Sequence, residues 1–197
     1  VDEPIEYIHK TYSPKPGIGL EIEFYSEEDP SFYKELGINP YKTVLGADGQ
    51  GFPVWEIRLS PKTGYDLEKS IEKISADIEI VLLWIRDNFS SPAYFFPHYN
   101  GYDLGTHYSV SRICCSKRSA NAALNIPKYC DNLWNIRAEN RIVYPAYWAG
   151  DDYMKFHKDR MEYRWMPSGS PYSILEWLKY IVGIGKFPKG FNYYEIL

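Results

Sequence analysis

Four short stretches carry ionisable or hydroxyl side chains at alternate positions within runs of strand-forming residues: Glu21-Ile22-Glu23, Glu56-Ile57-Arg58, His107-Tyr108-Ser109-Val110-Ser111 and Glu162-Tyr163-Arg164. Residues two apart on a strand share a face. Each stretch therefore presents polar groups to one side. To the other it presents Leu20/Ile22/Phe24, Trp55/Ile57/Leu59, Tyr108/Val110 or Met161/Tyr163/Trp165. A sheet built from these strands has an apolar back and a front bearing four carboxylates, a histidine and two arginines. Like charges on one surface disfavour one another unless cations lie among them. The pattern points to a divalent-metal site. Cross-strand salt bridges and a solvated acidic face are the plainer uses of the same residues.

The elements that must position these groups follow from periodicity. The first strand is expected at about 18–25, behind a polar, proline-rich arm at 1–17. Residues 26–42 hold acidic and turn-forming residues, with one short helical turn near 31–36. Ala47-Asp48-Gly49-Gln50-Gly51 signals a turn before a second strand at 53–60, which Pro61 ends. From Asp66 to Phe89 the period becomes 3.6: Leu67, Ile71, Ile74, Ile78, Val81, Leu82, Ile85 and Phe89 form one stripe, and Asp66 is the expected N-cap. Glu68, Lys69, Glu72, Lys73, Asp77 and Glu79 fill the polar side. A loop at 90–104 leads to a third strand at 105–113. Helical stretches follow near 118–124 and 127–138, a further strand at 142–147, and a loop at Ala149-Gly150-Asp151-Asp152. The strand at 160–166 precedes a helix from Pro171 to about Val182. Strands interspersed with helices, opening on a hairpin-like pair, predict an α+β fold with a mainly antiparallel sheet and helices on its apolar face, in a single domain over 1–197.

Composition narrows the classes. The 197 residues carry a net charge of −4, which disfavours a dedicated nucleic-acid binder. Cys114, Cys115 and Cys130 give no Cys-x-x-Cys pair and no even framework, so free thiols and a cytoplasmic location are expected. No apolar run reaches the roughly 20 residues of a membrane span, and no signal peptide is read. Gly183-Ile184-Gly185-Lys186 follows a helix instead of opening one, unlike a phosphate-binding loop.

In order and content these stretches resemble the carboxylate–amine ligase superfamily of glutamine synthetase and glutamate–cysteine ligase, in particular its compact amidoligase branch. Gly19-Leu20-Glu21-Ile22-Glu23 resembles the first-strand Gly-x-Glu-x-Glu. Asp48-Gly49 and then Glu56-Ile57-Arg58-Leu59-Ser60-Pro61 resemble the second-strand pattern. Gly105-Thr106-His107 through Ser111 resembles Gly-x-His-x-x-x-Ser, and Glu162-x-Arg164 followed by Pro167 and Trp177 resembles the late strand and its helix. The resemblance spans roughly residues 19–183 and implies a curved sheet of the glutamine-synthetase catalytic type.

The implied activity is ATP-dependent amide formation through an acyl phosphate. The implied cofactors are ATP and two or more Mg²⁺ ions, with Mn²⁺ as a substitute. Its substrates would be a small-molecule or peptide carboxylate and an amine, with neither nucleic acid nor membrane as partner. Carried over residue by residue, Glu21, His107 and Glu162 would hold one metal, and Glu23 and Glu56 the other, with Asp48 a further acidic candidate. Arg164 would neutralise the transferring phosphoryl group; Arg141 would contact phosphate or the substrate carboxylate during catalysis, Arg137 beside it could do the same, and Ser109 would join these arginines in binding the nucleotide. Arg58 would bind substrate or balance the acids. Nothing resembles the separate N-terminal domain of glutamine synthetase, and the segment 26–46 is too brief for a lid between the first two strands. Two other functions would use the same residues: a two-metal phosphohydrolase or nuclease, and a non-catalytic relative.

Overall fold

Alternation along the first strand sets the plan of the molecule. The structure is a computed structural model that describes residues 17–38, 43–111, 154–156, 160–186, 188 and 192–197. Strand β1 (Gly17–Tyr25) buries Ile18, Leu20, Ile22 and Phe24 and leaves Glu21 and Glu23 half-buried on its other face. A 3-10 turn at Pro30–Tyr33 leads to β2 (Leu36–Gly37), β3 (Val44–Ala47), β4 (Val54–Arg58) and β5 (Lys62–Thr63). Helix α1 (Leu67–Asn88) precedes β6 (Ala93–Phe95), β7 (His98–Tyr99), β8 (Tyr102–Asp103) and β9 (Gly105–Ser111). The remaining elements are β10 (Met154–Phe156), β11 (Arg160–Pro167), α2 (Pro171–Ile181) and β12 (Tyr194–Ile196).

The fold is α+β, with a mainly antiparallel sheet and two helices among the described residues. The main path of the sheet runs β10-β11-β9-β1-β4-β3-β2, with β5 and β6 also pairing with β1 and β12 with β6. The chain-first strand is thus central: β4 lies on one edge and β9 on the other. No described helix is long and apolar enough to cross a membrane.

The apolar back and both helices form one core. Ile71, Ile74, Ile78, Val81 and Ile85 of α1, and Ile174, Trp177, Leu178 and Ile181 of α2, pack with the buried residues of β1, Trp55, Ile57, Tyr108, Val110 and Tyr163. The side chains of Met161 and Trp165 lie outside the described residues. Asp66 caps α1 as expected, its carboxylate accepting from Lys69 N at 2.7 Å. Ser170 caps α2, with Pro171 in the first turn. Tyr108 Oη donates to Ile174 O at 3.1 Å and so ties the centre of the sheet to α2.

Several local expectations change. Gly17 belongs to β1, not to the arm. Asp77, assigned to the solvated side of α1, is buried against Lys62 of β5 in an ion pair; periodicity alone could not reveal a charge whose partner sits on another element. The expected loop at 90–104 contains β6 and the β7–β8 hairpin. Asn100 and Gly101 occupy that hairpin's two-residue turn with φ of 49° and 87°, the left-handed conformation for which Asn-Gly is suited. The expected elements at 118–124, 127–138 and 142–147 lie outside the described residues.

Replacing Asp77 with alanine would strip a buried lysine of its carboxylate. Urea denaturation is expected to show a loss of about 3–5 kcal/mol. Replacing both partners with apolar residues, Lys62→Met with Asp77→Leu, is expected to recover most of that loss.

Candidate metal centre

Backbone register brings the polar residues together. In β1, Glu21 lies opposite Arg58 of β4 and His107 of β9, while Glu23 lies opposite Glu56. Glu162 of β11 lies opposite Ser109, which in turn faces Gly19. Four segments scattered from residue 21 to residue 164 therefore share one front face. A Cβ on Gly19 would meet Ser109 Cβ at 3.4 Å, so glycine keeps the floor beside Glu21 low.

His107 is the hub. Its Nδ1 lies 3.3 Å from Glu21 Oε2 and 3.9 Å from Glu162 Oε1, and its Nε2 lies 3.8 Å from Glu23 Oε1. Among the described residues, ligand atoms of Glu21, Glu56 and His107 fall within 4.8 Å of one another. This grouping differs from the implied division into Glu21/His107/Glu162 and Glu23/Glu56. Glu23 Oε2 accepts a 2.7 Å hydrogen bond from Gly105 N of β9, and Glu162 stays within 3.9 Å of the histidine.

Arg164 Nε lies 3.2 Å from Glu162 Oε1, and Arg58 Nε lies 3.4 Å from Glu56 Oε1. Both Nε atoms are buried without an aligned hydrogen bond, so the pairing is electrostatic. Arg58 also reaches Glu35, which favours charge balance over substrate binding. Between Tyr163 and Met166, β11 advances three residues while β9 recedes two, from Tyr108 to Thr106. The extra residue is a β-bulge beside Arg164, a device that re-aims side chains.

The carboxylates differ in environment. The hydrogen bond from His107 is the largest influence on Glu21, whose pKa is lowered; Arg58 and Arg160 add to it. Burial is the main force raising Glu23 to about 7, with Asp48 and Glu56 adding repulsion. Burial and the charge of Glu21 push Glu56 up to about 7 as well. For His107, burial favours the neutral ring, but Glu21 and Glu23 outweigh it and raise the imidazolium's pKa. Glu23, Glu56, Glu162 and His107 have side chains only 12, 14, 13 and 14% exposed, against 42% for Glu21. A partly dry group of oxygen donors with one imidazole suits Mg²⁺ or Mn²⁺.

Arg160 is a residue that the motifs missed. It is half-buried, faces Ser111 and bears on Glu21. The alternation Arg160-x-Glu162-x-Arg164 could have marked it. Asp48 is near enough to raise Glu23 and Glu56, although its carboxylate also holds the turn through Gln50 N at 2.5 Å. His98 pairs with Asp103 at 3.2 Å within the small hairpin. Arg137 and Arg141 lie outside the described residues. No family model and no curated protein matches this chain.

Glu23 and Glu56 bind protons more tightly when folded than in the open chain, so together they cost stability as pH rises from about 4.5 to 7. The raised His107 acts in the same direction: its stabilisation is full below its unfolded pKa and fades as pH rises through the folded one. Glu21, with a lowered pKa, acts in the opposite sense: its stabilisation is present above its unfolded pKa and is lost as pH falls through the folded one, below the window of Glu23 and Glu56. In EDTA, calorimetry is expected to show a melting temperature that falls from pH 6 to pH 8, with a shallower fall in Glu56→Gln. Millimolar Mn²⁺ is expected to raise melting more at pH 8 than at pH 6, because metal competes with protons for these ligands. Glu21→Ala and His107→Ala are expected to lose the Mn²⁺ response.

Proposed function

We propose that the protein is an ATP- and Mg²⁺-dependent carboxylate–amine ligase, built on a sheet of the glutamine-synthetase catalytic type. The observation that carries this reading is the convergence of Glu21, Glu23, Glu56, His107 and Glu162, with Arg164 beside them, on one sheet face. The motif resemblance assigns these same residues to the site, and their distances were not part of that resemblance.

In the proposed reaction the γ-phosphoryl group of ATP passes to a substrate carboxylate, releasing ADP. An amine then displaces phosphate from the acyl phosphate to give the amide. Glu21, Glu56 and His107 would hold a metal ion, with Glu23 and Glu162 flanking the histidine. Bound Mg²⁺ would supply charge neutralisation at phosphate oxygens. His107 must surrender its proton to become a ligand, and the carboxylates around it would then share their charge with the cation instead. Arg164 offers a planar cation at the rim of the group, suited to phosphate oxygens, and its bulge sets its direction. Arg58, tied to Glu35 and Glu56, would keep β4's carboxylate in register.

The direct test is ADP and phosphate release with Mg²⁺ across panels of carboxylic acids and amines. Turnover is expected to require both an acid and an amine. Glu21→Ala and Glu162→Ala are each expected to lower kcat/KM by about 100-fold or more. Turnover that survives both substitutions would reject this site, and phosphoester cleavage without ATP or amine would replace the ligase reading with a hydrolase.

A further inference from the structure

The alternation that sets Glu21 and Glu23 on the front of β1 continues to Tyr25. That residue leaves the main core and heads a separate cluster with Val54 and Leu104, against which Tyr94, Tyr99 and Tyr102 pack. Tyr94 pairs with Tyr25 across β6 and β1; its neighbours Ala93 and Phe95 belong to the core behind, so Tyr94 is on the front. The front face thus has a charged half and an aromatic half. Their nearest members, Glu23 and Tyr25, are two strand residues apart, a Cα separation of about 7 Å.

A cavity of about 490 Å³ opens at the aromatic half, lined by Tyr25, Glu27, Ser91, Tyr94, Tyr99 and Asn100 among others. Its size suits a small molecule. The ring centroids of Tyr25 and Tyr99 are 4.9 Å apart, and Tyr94 stacks on Tyr99 at 4.1 Å. Tyr25 Oη donates to Glu27 Oε1 at 2.6 Å and accepts from Asn100 Nδ2 at 2.7 Å, which fixes the exposed Glu27 carboxylate beside the rings. Glu27 is the one charged residue in the described lining. Tyrosine faces carry negative potential, and a carboxylate beside them supplies a counter-charge; together they favour an ammonium group and repel an anion. A neutral nucleobase would use the rings but not Glu27.

We propose that this tyrosine-walled pocket binds the remote ammonium group of a diamine, whose other nitrogen reaches the neighbouring carboxylate centre. As an ammonium site the pocket stands on its own geometry; as the site of the second substrate it rests on the ligase reading.

The test uses 1,6-diaminohexane and 6-amino-1-hexanol, which differ in the charge of the remote end. Calorimetric titration without ATP or Mg²⁺ is expected to show the diamine binding about tenfold more tightly. Glu27→Gln, which retains an acceptor for Tyr25, and Tyr94→Leu are each expected to erase that difference. Equal binding of the two amines, or an unchanged ratio in Glu27→Gln, would overturn the proposal; if Tyr94→Leu does not fold, the Glu27→Gln ratio decides alone. Adenosine binding that Tyr94→Leu abolishes, while the diamine ratio stays, would also overturn it in favour of a nucleobase pocket. Amide-forming turnover separates the two readings. Selective diamine binding without ADP release would leave the pocket standing and remove the ligase. Amine-dependent ADP release with an amine KM indifferent to Glu27→Gln would retain the ligase and remove the pocket.

Discussion

The register of the central strand is the constraint on which everything else rests. Both edges of β1 are read by neighbours, so Arg58, Glu56 and His107 take their places from backbone hydrogen bonds, not from side-chain attraction. Side-chain forces in part oppose the arrangement, since Glu23 and Glu56 repel each other and lie half-buried. The opposing force is the core. A slip by one residue would carry Ile22 and Phe24 to the front and drive Glu21 and Glu23 toward the helices, where unpaired carboxylates cost several kcal/mol. The oily back thereby holds an electrostatically unfavourable front in place.

That front is not uniform. Glu21 is relieved by His107, whereas Glu23 and Glu56 are held nearer neutrality by burial. One side of the face thus carries half-buried carboxylates that hold their protons tightly, and the other is walled by tyrosines. The nine residues of β1 supply two members of the carboxylate cluster and one wall of the tyrosine-lined cavity.

Much of this was legible in the sequence, for reasons that differ by element. Helix α1 shows its 3.6-residue period because a single stripe meets the sheet, and Asp66 announces its start. The alternation at residues 20–24 and 55–59 exposes two strands because each is buried on one side only. The convergence of Glu162 with His107 could not be read from spacing; it depends on β11 pairing with β9, a long-range contact that leaves no local mark. Asp77 hid for the same reason. Strands β2, β10 and β12 are two or three residues long, too short to establish a period. The Asn100-Gly101 turn does carry a local signal, which the aromatic residues on either side mask. Tyr25 was obscured because its hydrophobic character resembles that of the core, although the alternation assigns it to the front.

Two turns stand at the aromatic end of this face: the one closing β3 and β4 around Asp48–Gly51, and the Asn100-Gly101 hairpin. They are linked through Gln50 Nε2 and Asp103 O at 3.1 Å. Neither belongs to the paired stretches that fix the carboxylates. Descendants of this chain can therefore gain or lose residues at either tip and reshape the rim of the face, while the strand pairing that gathers the carboxylates is inherited unchanged. Lengthening β1 itself offers no such freedom, because one added residue would turn the entire face inward.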